Sequence, residues 1–336
     1  MNYPGLPGWA LMFSIGIISI FLSKLIVIGG KNPVEPVVFA IILGIIIRNI
    51  GLIPDVFNSG IKNFEKVLIL GIILIGASLN FKNIGYQSGD ILIIILITMV
   101  FGFLLIYMFG KIFKLPTSLG LLLAVGTTIC GGSAIAVTAP IIEAKEEETS
   151  YAIGTIALWG LFALIFYPKV AQLLAVADIN FGIFAGTAIH STPQVVGAGF
   201  MFSDLAGKTA TAVKLVRNVF IIPIAFLLAF LHSKKRDSND VNKVSNNRMN
   251  VTKAFPWFLF GYFILAGLNT QGYFSPDGVA AFNTAGKLFI LLGLAGVGLN
   301  TNIKAIKKVG IKPLILGFLG SAFVAICSIV MINIVL

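Results

Sequence analysis

Acidic residues are scarce in this chain: 13 Asp and Glu stand against 24 Lys and Arg, and none of the 13 falls in the interior of an apolar run. Exchangers of cations for protons need buried carboxylates to bind and release their ions, so the scarcity argues against that chemistry. Charge of either sign is also thin, at 11% of residues, where a soluble domain carries about a quarter. Only two cysteines occur, Cys130 and Cys327, too far apart for a disulfide framework or a metal motif, and only two histidines. No nucleotide-binding glycine motif is present, which removes primary pumping. Neither a metal site nor a cofactor is expected.

What is abundant is apolar sequence, 57% of residues with a mean hydropathy of +0.99, more than a water-soluble fold can hide. Runs long enough for a hydrocarbon core of ~30 Å lie near 8–29, 34–53, 65–80, 89–110, 117–141, 150–168, 181–203, 207–231, 254–271, 280–300 and 313–336. They are too long and too poorly alternating for a membrane barrel. The expected fold is an all-α polytopic membrane protein of about eleven transmembrane helices, residues 1–336 forming one domain. No signal peptide is expected, because residues 8–29 lack a basic leader and are too long for its apolar core.

The net charge of +11 reads as topology rather than as a nucleic-acid surface. Residues 232–253 form a polar, basic linker between the eighth and ninth runs, and basic loops face the cytoplasm. Counting outward from it puts the N-terminus inside, the C-terminus outside, and fifteen basic loop residues inside against four (Lys31, Lys82, Lys145, Lys208) outside.

The chain also resembles itself. ILGIILIGASLNFKNI (69–84) matches FILLGLAGVGLNTNIK (289–304), pairing Asn80 with Asn300. An odd number of spans separates the copies, so they run in opposite directions, as in the inverted repeats of secondary transporters. GTTICGGSAIAV (126–137) and GTAIHSTPQVVG (186–197) share a second, shorter likeness. Eleven simple crossings would make that pair parallel, in conflict with the first unless a segment is re-entrant.

Both shorter segments interrupt apolar runs with Gly, Pro and hydroxyl residues, and irregular backbone survives at depth only against protein or a wet cavity. Thr127, Thr128, Cys130, Gly131, Gly132 and Ser133 on one, and His190, Ser191, Thr192 and Gln194 on the other, are therefore candidate ligand contacts, with half-helix amides ready for an anion. Packing of small residues would also explain the glycines. His190 is the candidate for proton coupling. Lys24, Arg48 and Lys287 lie toward span ends, where snorkelling accounts for them. Lys214 and Arg217 lie deeper, on one face with Thr211 and Asn218. With no acid at depth and Glu143 the only protein partner within reach, the missing negative charge is read as a small anion. Their replacement by Ala is expected to abolish anion binding and leave the protein folded. Asn80 and Asn300 would add symmetric polar contacts, or cap helix ends.

CGGSAIAVTAP, HSTPQVVGAG and AVKLVRN, in this order, resemble the YeiH-type family of bacterial membrane proteins, labelled sulfate exporters, across essentially the whole chain. That family is grouped with the sodium/bile-acid symporters and cation–proton antiporters. The resemblance implies discontinuous, crossing helices and a core that moves against a scaffold in the bacterial inner membrane. The absence of mid-membrane carboxylates departs from the antiporter branches, so their coupling does not carry over. The expected function is secondary transport of a small, sulfate-like anion. A sodium-coupled organic-anion symporter, a passive anion channel, and an enzyme using Cys130 or Ser133 with His190 are the alternatives. Expected partners are the anion, the lipid bilayer and a coupling proton or sodium; nucleic acid is not among them, and a homodimer is left open.

Overall fold

The computed structural model describes residues 5–25, 36–51, 53–79, 88–237, 257–301 and 310–336. Asn80 and most of the 232–253 linker lie outside the described residues. The described chain is helical: α1 (Leu6–Leu25), α2 (Pro36–Asn49), α3 (Asp55–Ile61), α4 (Phe64–Gly76), α5 (Ser88–Ile112), α6 (Thr117–Thr128), α7 (Gly132–Ile141), α8 (Glu146–Leu173), α9 (Asp178–Ala188), α10 (Thr192–Phe202), α11 (Asp204–Val219), α12 (Ile221–Asp237), α13 (Phe258–Thr270), α14 (Pro276–Asn300) and α15 (Ile311–Val335). Among the described residues each of the eleven apolar runs is largely helical, the fifth and seventh being interrupted at 129–131 and 189–191. Six stretches of the described residues, including α11 and α12 taken together, are long and apolar enough to cross a membrane. Large apolar side chains such as Phe13, Ile17 and Phe21 on α1, Phe101 and Leu104 on α5, and Ile326 and Val330 on α15 point outward, as a lipid-facing surface requires.

Contacts between helices fix their directions. A Cβ on Gly71 would meet Ile290, one on Gly293 would meet Leu68, and one on Gly296 would meet Phe64. Rising numbers on α4 therefore meet falling numbers on α14, and the two longer similar segments lie antiparallel and in contact.

The same test separates the fifth and seventh runs from the rest. Ser118 Oγ bonds Glu148 Oε2 at 2.6 Å, and a Cβ on Gly126 would meet Ile156, so α6 and α8 run parallel. Only Ile142–Lys145 join α7 to α8, and four residues reach at most ~14 Å. From the break after α6 the chain must therefore return along α7 to the end at which α6 began. On the other side, a Cβ on Gly182 would meet Thr209 and one on Gly199 would meet Gly207. Both α9 and α10 thus flank the first half of α11. Each pair is a re-entrant hairpin. α6 has 12 residues and α7 has 10, or ~15–18 Å at 1.5 Å per residue, half the depth of a bilayer core.

This corrects the simple-crossing picture of the two runs. One hairpin enters from each face and α8 connects the faces, so α6 and α9 point toward each other. The shorter similar segments are then antiparallel too, and the conflict between the two self-similarities disappears. Lys145 with Glu146–Glu148 moves to the face of the linker, and Lys169, near the far end of α8, moves to the other. The fifteen-to-four tally is unchanged, because one lysine replaces the other.

A candidate anion site at the meeting of two re-entrant hairpins

The first break follows from Gly131, whose φ of 71° and ψ of −132° suit glycine alone. A Cβ there would also stand 3.1 Å from Cβ of Ser191, so the two tips touch. The second break is opened by Ile189 and Ser191 in extended conformation, with ψ of 147° and 150°. Pro193 then sits in the first turn of α10, where no helical donor is lost and its fixed φ favours the start.

Two half-helices ending at depth leave their last carbonyls without partners. Lys214 and Arg217, both 0% exposed, answer them. Lys214 Nζ donates to Ile129 O at 2.8 Å, to Ile189 O at 3.2 Å and to His190 O. Three acceptors around one nitrogen require the ammonium form. Arg217 Nε donates to Thr128 O at 2.6 Å, Nη2 to Thr127 O at 2.6 Å, and Nη1 to Gly186 O at 3.2 Å and Ile189 O at 3.0 Å. Two side chains on adjacent turns of α11 thereby tie the C-terminal ends of α6 and α9 together.

This finding corrects the inference from the missing acid. Lys214 and Arg217 do not need an anion as a hydrogen-bond partner, since backbone carbonyls occupy their donors. Removing either leaves buried carbonyls unpaired, so Ala variants are predicted to lose stability rather than stay fully folded. Glu143 is exposed in the turn between α7 and α8 and takes no part in these bonds.

The surrounding charge still favours an anion. Two cations contribute +2, two helix C-termini offset about −1, and the N-termini of α7 and α10 return about +1. Among the described residues no Asp or Glu is buried.

The other candidates divide into tip residues and braces. Thr128 Oγ1 donates to Ala124 O at 2.7 Å, whereas Thr127 Oγ1 is buried without a partner. Cys130 is buried. Gly132 has open space where a Cβ would stand, and Ser133 is exposed. Ser191 N donates to Gln194 Oε1 at 3.2 Å, and Gln194 Nε2 to Ala157 O at 3.3 Å, which makes Gln194 a brace to α8. Asn218 Nδ2 donates to Thr192 Oγ1 at 3.1 Å, joining α11 to the start of α10. Asn300 is not brought to the tips: its Nδ2 donates to Gly296 O at 3.0 Å and to Ile61 O at 3.2 Å, closing the end of α14 against α3. Of the shallower cations, Lys24 is exposed, Arg48 bonds Asn58 Oδ1, and Lys287 pairs with Asp204 at the surface.

A family model described as Conserved hypothetical protein 698 matches residues 7–317. The chain belongs to this family. A "UPF0324 membrane protein" of Clostridium tetani is 32% identical over 324 residues, covering 94% of this chain and 92% of that protein. Relatives under the same name from Streptococcus agalactiae and Fusobacterium nucleatum are 34% and 35% identical, each covering 93% of this chain and 92% of the relative. Among solved structures, a sodium proton antiporter from Methanocaldococcus jannaschii aligns over 96% of this chain and 94% of that one, at a TM-score of 0.29 and 13% identity. A likeness of that size carries no argument.

In this member of the Conserved hypothetical protein 698 family, the last helix supplies residues that sequence reasoning missed. Ser321 Oγ lies 2.9 Å from His190 Nε2, and Ser328 Oγ lies 2.7 Å from Thr187 Oγ1, both pairs buried. The signal was available: two serines seven apart share one face of a helix that is apolar between Lys312 and Asn333 apart from them.

Proposed function

We propose that this chain is a secondary transporter of a small anion, working by alternating access, with the anion held where the two hairpin tips meet. One observation carries the reading. Half-helices from opposite faces end against each other at mid-depth, around two fixed cations and no buried acid among the described residues, with the N-termini of α7 and α10 at the same place. First-turn amides of a helix have no intrahelical partner and attract anions. Lys214 and Arg217 supply field and hold the tips; the amides of Gly132, Ser133 and Thr192 supply contact. Resemblance to the YeiH-type sulfate exporters supports a small oxyanion as the class, and a bacterial inner membrane as the location.

The test is exchange in proteoliposomes. Uptake of labelled sulfate, nitrate or hydrogencarbonate should saturate and be accelerated by the same anion inside. Running it with and without sodium and proton gradients identifies the coupling ion. Unsaturable conductance in planar bilayers, without acceleration by internal anion, would mean a passive channel and refute alternating access.

A further inference from the structure

Buried apolar contacts join the two parts of the molecule on one side only. Helices α1–α4, α13 and α14 contribute to a single buried cluster among the described residues. On the rest of the chain that cluster holds Ala163, Leu164 and Ala171 of α8 and residues between Phe181 and Leu215. All of these lie from the depth of the hairpin tips to the face opposite the linker, since α9 and α10 enter from that face and α8 ends there. The cluster that fills the linker half, built on Leu122, Ile135, Ala152, Ile156 and Leu316, contains no described residue of α1–α4, α13 or α14. The remaining cluster, around Ile94 and Val213, contains none either.

One face of α8 shows the same asymmetry residue by residue. Positions 153, 157, 160 and 164 share that face. A Cβ on Gly160 would meet Gln194, and one on Gly197 of α10 would meet Leu164, Leu294 of α14 and Ile41 of α2. Toward the linker, Ala157 and Ile153 are exposed instead. Half-helix α7, which leads from its tip to the linker face, exposes Ser133, Ala136 and Pro140 along one side. Lipid-facing sides elsewhere carry large apolar residues such as Phe101 and Leu104, and this one carries none. Ser133 also adjoins a backbone break, and broken backbone at bilayer depth stands open only to water.

Resting on the reading that this chain works by alternating access, we propose that the structure is the form open to the linker face. The tips are reached along α7 and the linker half of α8. The gate on the opposite face is the seam of α10 against α2 and α14, latched at its outer end by the ion pair of Asp204 on α11 with Lys287 on α14. Opening that gate parts α10 and α11 from α2 and α14, and the bonds of Lys214 and Arg217 stay whole because they lie on one side of the seam.

Ser133→Cys tests this without any substrate. An impermeant maleimide is applied to sealed vesicles of either orientation, with the parent protein as the baseline for Cys130 and Cys327. Labelling should be about 10-fold faster, or more, from the linker face, because the minor state of such an equilibrium holds about a tenth of the molecules or fewer. Adding Lys287→Ala should speed labelling from the other face roughly 2- to 5-fold, the worth of an exposed ion pair. Separately, joining Asp204→Cys to Lys287→Cys with a reducible thiol cross-linker should stop exchange of labelled sulfate, nitrate and hydrogencarbonate until the link is reduced. Equal labelling of Ser133→Cys from the two faces, none from the linker face, or faster labelling from the other overturns the inference. So does full exchange by the cross-linked protein, and each of these results leaves the transporter reading standing. An unchanged rate in Lys287→Ala refutes the latch. The expected labelling with no exchange by the wild-type protein overturns the transporter reading instead.

Discussion

The bundle of α2, α4 and α14 and the hairpin region around α11 solve the same problem, joining helices in an apolar layer, by different physics. In the bundle, shape does it: a Cβ on Gly44 would lie 2.7 Å from Ala295 O and 2.8 Å from Leu299 N, so the backbones of α2 and α14 touch. In the hairpin region, seven hydrogen bonds from Lys214 and Arg217 hold carbonyls that helix geometry leaves bare. Helices that run through need only fit. Helices that stop at depth need partners, and a partner strong enough to replace water is charged.

The difference can be broken in several ways. The largest effect is all-or-none: single cysteines replacing Lys145 and Lys169 should react with an impermeant maleimide from opposite faces, Lys145→Cys from the face of the 232–253 linker. The reverse pattern, Lys145→Cys labelled from the face opposite the linker and Lys169→Cys from the face of the linker, would destroy the re-entrant assignment. Next comes Arg217→Leu, which strands the carbonyls of Thr127, Thr128 and Gly186 and leaves that of Ile189 to Lys214 alone; it should cost on the order of 4 kcal/mol or more, seen as loss of monodisperse protein or a collapsed melting temperature. In the α2–α4–α14 bundle, Gly44→Val forces backbones apart and should cost roughly 1–3 kcal/mol, with the hairpin tips still formed. Ser328→Ala removes one neutral bond to Thr187 and should cost about 1 kcal/mol. Lys287→Ala, losing a surface ion pair with Asp204, should change stability by no more than about 0–1 kcal/mol. If Arg217→Leu proved as mild as Lys287→Ala, the contrast between the regions would be wrong.

Most of the helices were legible from apolar run length alone, because hydrocarbon thickness imposes it. Both interrupted segments were legible too, from Gly131–Gly132 and from His190–Pro193, since those residue types fit helix interiors poorly. The reversal at each break was not legible. A run of 117–141 is long enough to cross, and charge counting is blind to the error, because exchanging two crossings for two hairpins exchanges Lys145 for Lys169 and preserves parity. The role of Lys214 and Arg217 was misread for a related reason. Side-chain inventory finds no acid, but the negative ends they answer are backbone dipoles, which no residue letter records. Ser321 and Ser328 were overlooked because a serine in an apolar helix commonly bonds its own backbone, as both Ser321 to Gly317 and Thr128 to Ala124 do here.

The lysine and arginine on α11 hold both tips at once, and this has a mechanical side. A hairpin free to swing would serve as a door, one for each face of the membrane. Here the two doors share a bolt: opening one alone would tear a cation from carbonyls on the other. Any motion that keeps these bonds carries both doors as one piece.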